Sequence, residues 1–137
     1  MARDTRTGEV LEKMILPALE SGGYRHRTGV NIGQRLGVGR HIVDVIATKD
    51  SDDYLVSLKW QQVSGTAEQK VPFEVISLSE AMQDSSYARA YLVLGGDGWR
   101  LRDFYVSGGL DKHLTHPELV EILTLERFIA VANQGAL

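Results

Sequence analysis

Two apolar and β-branched runs, Ile42 to Thr48 and Tyr54 to Gln61, flank the polar cluster Lys49 to Asp53, a pattern that predicts a β-hairpin. In the second run a period of two puts Leu55, Ser57, Lys59 and Gln61 on one face and Val56, Leu58 and Trp60 on the other. A turn centred near Ser51 then brings Asp44 opposite the Ser57 to Lys59 region. Asp44 interrupts an otherwise apolar strand, where a carboxylate is disfavoured and costly to bury without a partner.

Helical spacing precedes the hairpin. Val10, Leu11, Met14, Ile15, Ala18 and Leu19 predict a helix from about Thr7 to Ser21, with Thr5 or Thr7 as cap, Glu9 in the first turn and Gly22-Gly23 as the stop. Pro17 is expected to kink or break its last turn. A second helix starts after Ser64 or Thr66, carries Glu68 in its first turn and runs to about Met82, with Pro72 inside. Ala90 to Leu94 reads as a central strand ending at Gly95-Gly96-Asp97-Gly98, and Val120 to Leu123 as a last strand. Thr124 caps a final helix, Leu125 to Asn133, which Gly135 ends. This order of helices and strands predicts one α/β (mixed α+β) domain over residues 1–137, a central mixed sheet flanked by helices. Trp99, Phe104 and Tyr105 are expected in the core or at a dimer interface.

Composition narrows the function classes. With 137 residues, 43% hydrophobic and 24% charged, the chain is an ordinary globular domain, and no apolar run is long enough for a membrane span. The absence of cysteine excludes disulfides and thiolate metal sites and suits a cytoplasmic location. His113 and His116 stand in a loop-like stretch without zinc spacing. A net charge of −3 does not announce a nucleic-acid binder, but no acidic residue occurs from Ser21 through Val43. That glycine-rich stretch carries Arg25, Arg27, Arg35, Arg40 and His41 and reads as a hairpin that follows a phosphate backbone. The glycines after Leu94 match no P-loop, so no nucleotide cofactor is expected.

For Asp44 and Lys59 two readings stand side by side: a structural ion pair, or a metal-binding carboxylate beside a lysine that acts on a phosphate. Asp44, followed by a strand ending in Lys59-Trp60-Gln61, resembles the PD-(D/E)XK nuclease superfamily, whose pattern is an Asp and then an acid two residues before a Lys. Here Ser57 occupies the acid position. The resemblance, to a resolvase-like or homing-endonuclease-like branch, implies a restriction-endonuclease-like core and a DNA endonuclease using Mg²⁺ or Mn²⁺. It implies that Asp44 and Glu12 hold the metal, since Gly8, Glu12, Leu19 and Gly23-Tyr24 are similar to the first helix of the resolvase-like branch. It further implies Lys59 at the nucleophile, Ser57 and Gln61 in supporting roles, and Glu68 as a replacement acid supplied from the neighbouring helix. Cutting both strands of a duplex implies a homodimer or higher homo-oligomer. A DNA-binding protein that has lost catalysis is the competing reading.

Overall fold

The computed structural model describes residues 5–137, with side chains from Glu9 onward, Val10 excepted. The expected caps Thr5 and Thr7 therefore lie outside the described side chains. Helix α1 (Thr5–Ser21) buries the stripe Leu11, Ile15, Ala18 and Leu19. It ends where the amide of Tyr24 donates to the carbonyl of Leu19 at 2.9 Å, with Gly23 left-handed at φ +88. Pro17 does not break it. Both Pro17 and Lys13, whose carbonyl loses its helical partner, are exposed, so the orphaned acceptor lies on a face open to solvent.

Five strands follow: β1 (Arg25–Gln34), β2 (Arg40–Lys49), β3 (Asp52–Trp60), β4 (Arg89–Gly95) and β5 (Val120–Thr124). They lie in the order β1-β2-β3-β4-β5, antiparallel through β3 and parallel from β3 to β5. Between β2 and β3 the tight turn is Asp50-Ser51, both at positive φ (+52 and +74), the type I′ geometry whose twist matches the strands it joins. Parallel pairing demands crossovers, supplied by α2 (Ala67–Asp84) and the short α3 (Arg102–Val106). Helix α4 (Leu125–Asn133) closes the chain, capped by Thr124, whose hydroxyl accepts from the amide of Arg127 at 3.2 Å.

The sheet separates two cores. On one side α1 and α4 cover Val45, Ala47, Val56, Leu58, Tyr91 and Val93. Tyr24, Tyr54, Tyr91 and Phe128 form a chain of ring contacts there, with centroids 5.9, 6.5 and 5.8 Å apart. On the other side α2 and α3 cover Val43, Ile46, Leu55, Leu92 and Leu94, with Trp99 and Tyr105 buried among them. Phe104, the third of the expected core aromatics, is 41% exposed.

Val43 and Val45 have the same parity yet belong to opposite cores, so the alternation of β2 slips by one residue at Asp44. Gly29, which faces this level from β1, has φ +60, and the β1–β2 pairing resumes in unchanged register on either side. Both strands reset their pleat together. The slip turns His41 and Val43 toward α2 and leaves Asp44 at the seam between faces.

Two glycines separate close packing from backbone freedom. A Cβ on Gly22 would sit 1.8 Å from the carbonyl oxygen of Ala132, whereas one on Gly29 would meet nothing within 4 Å. Gly22→Ala is expected to force α1 from α4 and cost at least about 3 kcal/mol, and Gly29→Ala only about 1–2 kcal/mol from its left-handed backbone. Chemical denaturation of both variants checks the ranking.

Candidate functional site

On the α2 side, the polar row of β3 meets one carboxylate. Ser57 is buried and its hydroxyl donates to Oε1 of Glu74 on α2 at 3.2 Å. The ring of His41, also buried, places Nε2 3.4 Å from the same oxygen. From the β1–β2 tip, the Arg35 guanidinium reaches Oε2 at 3.0 Å. Glu74 itself is 3% exposed.

Burial would push the Glu74 carboxyl up, but the hydrogen bond with His41 and the charges of Lys59, Arg35 and His41 outweigh it and bring its pKa down to about 2. Glu74 is therefore ionised. The sequence reading missed it, although α2 carries the signal: Glu74 falls inside the buried stripe Val71, Val75, Leu78 and Met82, where a carboxylate has no place without partners.

Asp44 stands where the β2–β3 ladder gives way. Its pairing runs from Lys49↔Asp52 up to Val45↔Val56, and beyond it Oδ2 of Asp44 accepts the amide of Leu58 at 2.7 Å. The side chain replaces the backbone acceptor of a neighbouring strand, which fixes its position between β2 and β3. Lys59 lies one step further on β3, close enough to stabilise the charge on Glu74. Ser57 and Lys59 thus face Glu74, and Asp44 holds the Leu58 amide that lies between them in sequence. Glu12 is half-buried on α1, the helix that covers the opposite face.

Three expected residues have other work. Gln61 uses both ends of its amide, accepting from the amide of Ala67 at 3.0 Å and donating to the carbonyl of Gly98 at 2.8 Å. It therefore caps α2 where Thr66 makes no side-chain bond, and fastens the loop after β4. Glu68 accepts the amide of Leu101 through Oε1 at 2.7 Å and anchors the start of α3. His41, expected to face phosphate, is 1% exposed and belongs to the Glu74 cluster instead. Arg25, Arg27 and Arg40 are exposed along β1 and β2, free to meet a polyanion.

Two carboxylates and a serine hydroxyl are hard oxygen donors, and ions of the Mg²⁺ class need only one or two carboxylates because they keep several waters. Asp44, Ser57 and Glu74 carry oxygen donors of the kind such an ion takes. No group of three or more His, Cys, Asp or Glu among the described residues gathers to hold one, so water would complete its shell.

The depressed pKa gives a signed expectation. A carboxyl held below its ordinary value of 4.5 stabilises the fold above that pH, and loses this contribution as pH falls through about 2. Between these limits wild type should lose up to about 3 kcal/mol more than Glu74→Gln. Acid titration of both, followed by circular dichroism at fixed denaturant, measures the difference, and parallel acid limbs would refute it.

A family model described as PD-(D/E)XK nuclease superfamily domain matches residues 3–136. The search of curated proteins found no match. Among solved structures the chain is similar to the crystal structure of a protein of unknown function, AF1548, with 10% identity and a TM-score of 0.49. The alignment covers 86% of this chain and 56% of that one, so the chain spans little more than half the length of that protein. A match over nearly the whole chain, on a five-stranded mixed sheet flanked by helices, makes the protein a member of the PD-(D/E)XK nuclease superfamily.

Proposed function

We propose that the protein is a divalent-metal-dependent endonuclease that hydrolyses phosphodiester bonds in DNA, with Asp44, Lys59 and Glu74 as its catalytic residues. The observation that carries this reading is the 3.2 Å hydrogen bond from Ser57 to Glu74. Ser57 fills the position of the family's acid, and α2 delivers a carboxylate to that place. Glu74, rather than Glu68, is then the acid supplied from the neighbouring helix.

Asp44 and Glu74 would hold Mg²⁺ or Mn²⁺. When bound, such an ion supplies Lewis-acid polarisation of a phosphoryl oxygen. Lys59 orients the attacking water and offsets charge developing on the phosphate, from a position fixed by β3. Ser57 and His41 are positioning residues that aim the Glu74 carboxylate. Glu12, from α1, remains a candidate third acid. Exposed Arg25, Arg27 and Arg40 hold the phosphate backbone, and pairing of two chains would supply one site for each strand of a duplex.

A non-catalytic DNA-binding protein is the second reading, favoured by one observation: both Glu74 oxygens already have partners. Plasmid nicking with Mg²⁺ or Mn²⁺ against an EDTA control separates the two. Asp44→Ala, Lys59→Ala and Glu74→Gln should each abolish cleavage while a gel shift on duplex DNA persists. Cleavage that survives Asp44→Ala in repurified protein would defeat the assignment.

Glu68→Gln is expected to behave differently, keeping cleavage within a few-fold of wild type while lowering the melting temperature. A neutral amide anchors the Leu101 amide less firmly than a carboxylate does, at a cost of about 1–2 kcal/mol. Loss of cleavage at unchanged stability would return Glu68 to the site. For Arg25, Arg27 and Arg40, single Ala variants should each make the salt dependence of binding shallower by about one unit.

A further inference from the structure

We infer that Arg35 is a phosphate-responsive latch over Glu74: without nucleic acid its guanidinium holds the carboxylate oxygen that a divalent cation needs, and a backbone phosphate draws it away. The inference rests on the reading of Glu74 as a metal ligand.

Arg35 lies at the surface end of the cluster. Its side chain is 29% exposed while that of Glu74 is 4% exposed, and the two meet at 3.0 Å through Oε2. A cation could not share this oxygen with a guanidinium so placed, because like charges would lie within contact distance of each other. The latch is also imperfectly satisfied. Nε of Arg35 is buried without a hydrogen-bond partner among the described residues, so the fork meets the carboxylate with part of its donors unserved. A phosphate accepts two parallel N–H bonds from the same fork.

The position of Arg35 in the chain suits such an exchange. It opens the β1–β2 tip, where its amide donates to the carbonyl of Gly39 at 3.1 Å. Leu36, Gly37 and Gly39, all at positive φ, form the turn that follows. The guanidinium lies 5.7 Å from the ring of Phe73, itself 47% exposed, so no core packing is undone when it swings outward. Arg25, Arg27 and Arg40 bring a polyanion to the same hairpin. Metal and nucleic acid then bind with positive coupling, and the coupling is reciprocal.

Mn²⁺ binding by the full chain, measured by isothermal titration calorimetry with and without a phosphorothioate duplex, tests the latch without reference to cleavage. Arg35→Ala and Arg35→Met, the second retaining an apolar stem against Phe73, should bind Mn²⁺ roughly tenfold more tightly than wild type in the absence of DNA. The duplex should raise Mn²⁺ affinity in wild type and leave both variants unchanged. Mn²⁺ affinity that is unaltered or weaker in the variants overturns the latch, as does failure of both to fold, which would make the pair structural. Glu74→Gln separates the two levels of inference. If it binds Mn²⁺ as wild type does, Glu74 is no ligand and the underlying reading fails. If it loses binding while the Arg35 variants match wild type, the latch alone fails.

Discussion

A single buried carboxylate sets the terms for one side of this molecule. Glu74 is drawn into an apolar helix face by three side chains from three different elements: His41 on β2, Ser57 on β3 and Arg35 at the β1–β2 tip. Removing any one would leave charge less well compensated in a place with little water. The antiparallel part of the sheet is therefore bound to α2 by charge as well as by hydrophobic contact. Desolvation opposes the ionised form of Glu74, and it is the partners that prevail.

The same arrangement explains why the centre stands at the junction of two kinds of pairing. Antiparallel β2 and β3 part beyond Val45↔Val56, while β3 continues alongside β4 from Tyr54↔Arg89 to Trp60↔Gly95. Ser57 and Lys59 thus keep β4 as a paired neighbour on one side after the ladder with β2 has ended on the other.

Much of the fold was legible in the sequence because periodicity and punctuation agreed. Thr124, Gly135, the Gly22-Gly23 stop and the polar turn after Lys49 mark boundaries that the structure keeps, and the period of two in β3 places Ser57 and Lys59 on one face. Pro17 misled because propensity alone ignores which side of a helix faces water. At the site, Asp44 was legible as a carboxylate out of place; Glu74, equally out of place in the buried stripe of α2, was passed over because its partners come from other elements, two of them 33 and 17 residues away in sequence. His41 and Gln61 were misread for a related reason. A polar side chain in a basic or catalytic-looking stretch says nothing about how many of its hydrogen bonds are already made. The paired slip at Gly29 and Asp44 was invisible too, as two compensating shifts leave strand register untouched.

The bond between Asp44 and Leu58 has a consequence of its own. An amide proton held by a carboxylate at 2.7 Å differs from its neighbours, which are held by carbonyls, in both polarity and distance. Leu58 consequently carries a built-in reporter. Its amide resonance and its rate of exchange with solvent record whether the carboxylate is facing the backbone or has been recruited elsewhere, with no label and no substitution in the centre itself.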